Sequence, residues 1–358
     1  MAGMTAPSAL DPTADIVDLT AALVDIESVS GDEQTIADAI EAALAPVPWL
    51  DLWRHQNSLV ATTSLGRAER VVIAGHVDTV PLNHNLPSRN DGELLHGLGS
   101  CDMKGGVAVA LTLATGLSAP NRDVTYVFYE AEEVEAHRNG LALISAVRPR
   151  MLDGDFAILM EPSNAQVEAG CQGTIRVDVR TTGVRAHSAR SWNGVNAIHA
   201  AGQILDRLAA YEPRRPVIDG LQYREGLNAV YVSGGVAGNV IPDACTVSVN
   251  YRFAPDRSEA EAEAHLREVF AGLDVTAVDG APGALPGLDR PAAAAFVEAV
   301  GGKVAPKFGW TDVSRFSALG VPAVNFGPGN PELAHTQSEY VSHTQLRSCL
   351  AAMQAWLS

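Results

Sequence analysis

The chain has 358 residues, 47% of them apolar, which is enough for one large domain or two ordinary ones with packed cores. Its 25 basic and 42 acidic side chains leave a net charge of −17, which argues against nucleic acids and anionic membranes as partners. The scattered cysteines form no Cys-x-x-Cys pair, so neither a disulfide framework nor a thiolate zinc site is expected. They are Cys101, Cys171, Cys245 and Cys349.

The beginning of the chain does not resemble a signal peptide. Asp11, Asp15 and Asp18 stand where such a peptide needs basic residues, and no stretch approaches 18 continuous apolar residues. These features predict a soluble, cytoplasmic protein.

Helices and short buried strands are predicted to alternate through the first half of the chain. An amphipathic helix is expected at the start, where Ile16, Leu19, Leu23 and Ile26 recur at helical spacing. A second helix is predicted over Lys104 to Leu117. Buried strands are predicted at Val71 to Gly75, Val124 to Tyr129, Phe156 to Met160 and Val321 to Phe326. The pattern predicts an α/β fold, with a mixed sheet covered by helices on both faces.

A sheet of a different kind is predicted from about residue 175, where Ile175, Val177 and Val179 alternate with polar residues. The elements that follow predict the order β-α-β-β-α-β, which is the ferredoxin-like, or split βαβ, motif. They are a helix over Val195 to Ala210, strands at Asn228 to Gly234 and Cys245 to Phe253, a helix near Ser258 to Phe270, and a strand at Val275. We therefore predict a domain inserted at 176–287, within a larger domain made of 1–175 and 288–358.

Two glycine-containing motifs place acids near predicted strand or helix ends. The first, Gly-His-Val-Asp-Thr-Val-Pro, follows a strand and holds His76 and Asp78 on one side, so that the carboxylate can orient a metal-binding imidazole. In the second, glycines bracket Asp102 ahead of a helix. Asp102 is there either a metal ligand or a helix N-cap. The phosphate-loop pattern is absent from this motif.

Three further signals follow predicted strands. Glu132 and Glu133 come after one strand, Glu161 after another, and His335 lies in a loop after a third. Each alone has a simpler interpretation, as a surface charge run or a solvated histidine. Taken together, two histidines and several acids at strand ends favour a site for zinc or related ions. One glutamate is left over to act as general base toward water.

With these motifs in place, the chain resembles the dinuclear metallohydrolases that include aminoacylases, deacetylases, exopeptidases and desuccinylases. The resemblance implies two divalent ions, zinc being expected and cobalt able to substitute. It implies His76, Asp102 and Glu161 on one ion and Asp102, Glu133 and His335 on the other, with Asp102 bridging. It further implies Glu132 as general base and Asp78 as the partner of His76. Ala131 departs from the family, which often has an acid there.

Within that family, the chain resembles the actinobacterial-type desuccinylases in particular, at residues 170–174, 185–190, 235–243 and 309–316. This implies hydrolysis of a succinylated amino acid by a homodimer in which the inserted domain serves dimerisation and acts as a lid. His187 is implied to stabilise the oxyanion in the partner's site. Asn239 and Arg252 are implied to hold substrate. Gln172 stands where better-known desuccinylases have an arginine, and Arg190 is predicted to take over the role of that arginine.

Three alternatives stay open. The chain could be a related amidohydrolase, such as an acetylornithine deacetylase or an exopeptidase. It could also be a noncatalytic metal-binding protein, although no ligand or base is missing, or a structural thiol protein, which the unpaired cysteines disfavour.

Overall fold

The computed structural model of the chain describes residues 10–358. Over this range nine α-helices form, and both helices predicted in the first half are present. In chain order the helices are α1 (Ile16–Val24), α2 (Gln34–Leu44), α3 (Gly105–Gly116), α4 (Gly140–Val147), α5 (Ala197–Ala209), α6 (Glu259–Val269), α7 (Pro291–Ala299), α8 (Val313–Ala318) and α9 (His343–Leu357). None of the described helices combines the length and the apolar character needed to span a bilayer.

The largest sheet has eight strands and mixes parallel with antiparallel pairs, as the pattern predicts. Numbered in chain order, its strands are β1 (Asp51–His55), β2 (Ser58–Thr62), β3 (Arg70–His76), β6 (Asp123–Tyr129), β7 (Phe156–Leu159), β8 (Val167–Ala169), β17 (Val304–Pro306) and β18 (Ala323–Asn325). Their spatial order is β1-β2-β6-β3-β7-β18-β8-β17. A separate three-stranded sheet joins β4 (Arg89–Asn90), β5 (Leu94–His96) and β19 (Tyr340–Ser342).

The central strands β6, β3, β7 and β18 run parallel to one another. Every residue of β6 and β7 is buried, which explains why these strands appear in the sequence as continuous apolar runs and not as alternating ones. Helices accompany the sheet, and α1, α2 and α9 pack against α3. Because parallel strands end on the same edge, the residues that follow these four strands are brought to one edge of the sheet.

A four-stranded antiparallel sheet forms in the second half of the chain. Its strands are β9 (Gly173–Thr182), β13 (Gly226–Gly234), β15 (Ala244–Phe253) and β16 (Asp274–Ala281), in the order β13-β15-β9-β16. Strand β9 alternates buried with less buried residues, as a half-exposed strand should. The helices α5 and α6 pack against this sheet over a core that includes Val177, Val247 and Phe270.

Two short ribbons accompany that sheet. One pairs β10 (Ala186–His187) with β14 (Val240–Ile241), and the other pairs β11 (Val217–Ile218) with β12 (Leu221–Gln222). The described chain divides into two compact units. The first takes the chain up to Ala169, Gly287–Ala305 and Arg315–Ser358, and the second takes Gly170–Pro286 and Pro306–Ser314.

Candidate metal centre

The polar residues of the predicted site follow four neighbouring parallel strands of the first unit. His76 is the last residue of β3, and Glu132 and Glu133 come directly after β6. Glu161 follows β7, and its side chain is buried. His335 lies in the loop after β18. The sheet therefore gathers at one edge residues that are far apart along the chain.

Asp102 reaches this edge from the kinked segment Ser100–Lys104, which leads into α3 and has a non-helical backbone at Asp102 and Met103. The peptide bond between Asp102 and Met103 is cis. The N-cap position of α3 is Lys104, and no side chain caps the helix there. The helix N-cap interpretation of Asp102 is therefore wrong, and its carboxylate is available for the site.

Two glycines let the backbone approach closely beside Glu161. A Cβ atom added at Gly106, in the first turn of α3, would overlap the carbonyl oxygen of Met160. One added at Gly327 would overlap the same oxygen from another segment. The residue before Glu161 is thus enclosed by two backbones that only glycine permits to come so near.

The two oxygens of Asp102 face two different histidines. Its Oδ1 lies 3.2 Å from Nε2 of His76, and its Oδ2 lies 3.4 Å from Nε2 of His335. The His335 Nε2 is also 2.7 Å from Oε1 of Glu133. Ligand atoms of His76, Asp102 and Glu133 all lie within 4.8 Å of one another, so these three residues can hold a metal ion. Imidazole and carboxylate donors suit zinc and related divalent ions.

Asp78 fixes the orientation of His76. The Nδ1 of His76 is 3.1 Å from the backbone carbonyl oxygen of Asp78 and 3.4 Å from its carboxylate. Because both of these partners accept hydrogen bonds, Nδ1 carries the proton, and Nε2 is left as the ligand atom. Both side chains are fully buried, so the ring has little freedom to turn.

The same carboxylate of Asp78 holds the Glu132-Glu133 turn. Its Oδ1 accepts the backbone N–H of Glu132 at 3.0 Å, and its Oδ2 accepts that of Glu133 at 3.1 Å. Ser30 Oγ donates to Oδ2 at 2.7 Å. Ala131 has a left-handed φ of 57°, which turns the chain just before the pair. Asp78 therefore positions three residues of the predicted site at once.

Electrostatics at the centre favour a bound cation. Burial disfavours the charged ring of His76, but hydrogen bonds to Asp102 and Asp78 outweigh it and raise the pKa of His76 well above its usual value. Hydrogen bonds to Asp102 and Glu133 raise the pKa of His335 to about 10. The acids that raise these pKa values would likewise attract a metal ion, which would compete with protons for the histidine nitrogens.

The chain matches the model of peptidase family M20/M25/M40 over residues 72–358. The chain belongs to this family. It is 55% identical to the DapE protein of Mycobacterium tuberculosis strain H37Rv over 351 residues, which cover 97% of this chain and 99% of the relative. It is 47% identical to the succinyl-diaminopimelate desuccinylase of Corynebacterium glutamicum over 361 residues, 98% of each chain.

A solved member of the M20 family has the same fold. The YXEP protein of Bacillus subtilis, described as a dinuclear metal-binding peptidase, superimposes with a TM-score of 0.69 at 17% identity. The match covers 95% of this chain and 96% of that one. At this identity the likeness concerns the fold.

The second unit of this M20 chain brings together three of the other predicted residues. His187 pairs with Val240 in the β10–β14 ribbon, and the backbone N–H of Ser188 donates to the carbonyl oxygen of Asn239 at 2.9 Å. Arg190 is exposed in the 3-10 turn that follows. His187 and Asn239 therefore lie side by side, with Arg190 nearby along the chain.

Arg252 lies elsewhere in the second unit. It is eight residues beyond Ala244, the start of β15, where the chain has just left the β10–β14 ribbon. At about 3.4 Å per residue this corresponds to roughly 27 Å along the strand. Arg252 and Asn239 of one chain thus lie at opposite ends of the sheet.

Sequence reasoning missed Glu339 and gave Lys104 no role. Both side chains are almost fully buried. Lys104 donates from Nζ to the carbonyl oxygen of Ile26 at 2.7 Å, and burial lowers the pKa of Lys104 to about 7. Burial raises the pKa of Glu339 to about 7. Glu339 follows His335 by only four residues, and this short spacing from a predicted ligand was the available signal.

Proposed function

We propose that this chain hydrolyses N-succinyl-L,L-2,6-diaminopimelate to succinate and L,L-2,6-diaminopimelate, a step of lysine and diaminopimelate biosynthesis. The observation that carries the proposal is the carboxylate of Asp102, whose two oxygens face His76 and His335 beside Glu132 and Glu133. Identity of 47% with a desuccinylase over 98% of both chains supports the choice of substrate. A cytoplasmic location stays a prediction from the sequence.

The metal centre is assigned two divalent ions, zinc by expectation, with cobalt able to substitute. His76, Asp102 and Glu161 would hold one ion, and Asp102, Glu133 and His335 the other. The donor set fits this assignment, because a carboxylate between two imidazoles can bridge two cations and offset their repulsion. Bound there, the ions supply Lewis-acid polarisation of the amide carbonyl and lower the pKa of water.

Glu132 is assigned the proton transfers. Its carboxylate takes a proton from the attacking water and returns it to the nitrogen of the leaving amine. Its backbone N–H is fixed by Asp78 at 3.0 Å, so the turn that carries the carboxylate is held in place. Glu133, one residue later, is held by the other oxygen of Asp78 and faces His335. The two adjacent glutamates therefore divide the roles of base and ligand.

His187 is assigned to the oxyanion that forms when water attacks the amide carbonyl. The backbone N–H of Ala189 donates to His187 Nδ1 at 3.0 Å, so a neutral ring carries its proton on Nε2. The ring is exposed, and that N–H is free to donate to a developing negative charge.

The second unit, near 176–287, is proposed to be a ferredoxin-like dimerisation and lid domain. Its main strands and helices follow the order β9-α5-β13-β15-α6-β16. Strand β13 is an edge of its sheet, and it exposes Val230, Tyr231 and Val232 in succession. A long apolar edge is a template for pairing with another chain. A second copy of this protein is the proposed occupant.

Dimerisation also bears on substrate binding. Asn239 and Arg252 of one chain cannot reach the same carboxylate, because they lie at opposite ends of the sheet. Pairing of two copies would allow Asn239, Arg190 and His187 of one subunit to act with Arg252 of the other. Charge-assisted hydrogen bonds from these arginines would then discriminate succinyl from acetyl groups.

The substrate assignment predicts a strong preference for N-succinyl-L,L-diaminopimelate over N-acetylornithine, because only the succinyl group offers a distal carboxylate. The measurement is kcat/KM of the purified protein for both amides, with a dipeptide as the exopeptidase control. Equal turnover of acetylornithine would exclude the desuccinylase assignment and leave the metal-dependent amidohydrolase in place. Turnover of the dipeptide alone would favour an exopeptidase.

A further inference from the structure

Glu339 contacts the backbone of the segment that carries the bridging carboxylate. Its Oε1 accepts the backbone N–H of Cys101 at 2.9 Å and that of Asp102 at 3.0 Å. The carboxylate also accepts a hydrogen bond from the backbone of Gly99. In addition, the Gly97 N–H donates to the backbone carbonyl oxygen of Glu339 at 3.1 Å. One buried glutamate thus holds the backbone of the whole turn before α3.

The same residue belongs to the segment that carries the second histidine. Glu339 follows His335 by four residues and precedes β19, which pairs with β5 and so ties the segment to the rest of the first unit. Its exposed fraction is 2%, so the carboxylate cannot exchange these N–H donors for water. Glu339 therefore links the backbone at Asp102 to the segment that presents His335.

Bridging requires this kind of restraint. The two oxygens of Asp102 must face nitrogens on opposite sides, at 3.2 Å from His76 and 3.4 Å from His335. A rotation of the backbone at Asp102 would withdraw at least one oxygen from its partner. The N–H of Asp102 itself is bound by Glu339, which fixes that rotation.

We infer that Glu339 is a positioning residue, which sets the geometry of the bridging carboxylate by holding the backbone at Cys101 and Asp102 and the His335 segment together. It is not assigned as a metal ligand or as a proton carrier. This inference rests on the proposed metal centre and does not depend on the proposed substrate.

The test compares cobalt binding by wild type, Glu339→Gln and Glu339→Ala. Titration of metal-free protein with cobalt(II) gives affinity and stoichiometry, and the visible absorption bands report the coordination geometry. Partners of this kind typically contribute about 10- to 100-fold to metal affinity. We expect a loss in that range and altered bands for Glu339→Ala. Glu339→Gln keeps one acceptor oxygen and should fall between Ala and wild type.

Asp123→Asn is the matched control. Asp123 is similarly buried, and it accepts the backbone N–H of Leu65 at 2.7 Å and that of Arg67 at 2.9 Å. It lies at the start of β6, at the opposite end of that strand from Glu132. This variant should lower thermal stability without changing the cobalt spectrum. If Glu339→Ala does not fold in the metal-free state, the comparison of Glu339→Gln with wild type decides.

An unchanged cobalt spectrum in the Glu339 variants overturns the inference, even if affinity falls, because removal of charge alone would explain the fall. A spectrum that changes equally in Asp123→Asn overturns it as well. Wild-type protein that binds no cobalt would instead show that the metal centre is wrong. Failure of the inference alone gives a different result, in which the wild type binds two cobalt ions and the Glu339 variants show the wild-type spectrum.

Discussion

Glu132→Gln is expected to bind metal like the wild type and to lose turnover by on the order of 10²- to 10⁴-fold. The amide keeps the shape of the side chain but cannot accept the proton of water. The backbone of Glu132 stays fixed by Asp78 at 3.0 Å, since that bond does not involve the side chain. The measurements are kcat with the succinylated substrate and metal content by elemental analysis.

Two companion variants sharpen this result. Glu135→Gln changes an exposed glutamate of the same acidic run, which forms a 3.7 Å surface ion pair with Arg138, and it should leave turnover unchanged. Glu133→Gln should lose metal, because Glu133 faces His335 at 2.7 Å. If Glu132→Gln retains near-normal turnover while Glu133→Gln keeps its metals and loses turnover, the two roles must be exchanged.

A mixture of two inactive variants, His187→Ala and Glu132→Ala, is expected to regain activity if the subunits exchange. His187 lies in the second unit and the proposed ligands lie in the first. If each site takes His187 from its partner, a mixed dimer contains one intact site and one site that lacks both groups. Random exchange makes about half the dimers mixed, so activity should recover to roughly one quarter of wild type.

The measurement is turnover after subunit exchange. The exchange itself is verified independently, from the mass of the mixed dimer or with a labelled chain. His187→Ala mixed with wild type is the control for independent sites, because its activity should stay at about half of the wild-type value whether or not subunits exchange. Exchange without recovery in the two-variant mixture would mean that His187 acts within its own chain or takes no part in catalysis. Recovery to about a quarter would support both the homodimer and the role of His187.

Much of the site could be predicted because its polar residues follow the ends of buried strands. Buried parallel strands are continuous apolar runs, so β3, β6, β7 and β18 were recognisable, and each strand's end marks where a polar residue must lie. Composition alone could not show which glutamates in the acidic run from Glu130 to Glu135 are buried and which are exposed. Glu130 proved buried, accepting the backbone N–H of Asn57 at 3.0 Å, whereas Glu135 is exposed.

Contacts between distant segments were beyond the sequence. Glu339 holds Cys101 and Asp102, which lie over two hundred residues away, and nothing in the local pattern announces that bond. The pairing of His187 with Val240 depends on a two-residue ribbon too short to have a period. The distance between Arg252 and Asn239 likewise follows from strand length and register.

The dependence of desuccinylation on metal tests the account most directly. Protein stripped with a chelator should not hydrolyse N-succinyl-L,L-diaminopimelate, and activity should return on titration with zinc or cobalt until about two ions are bound per chain. Turnover followed against bound metal in one titration gives both quantities. Full activity in metal-free protein, or no desuccinylation at full metal occupancy, would contradict the proposed function.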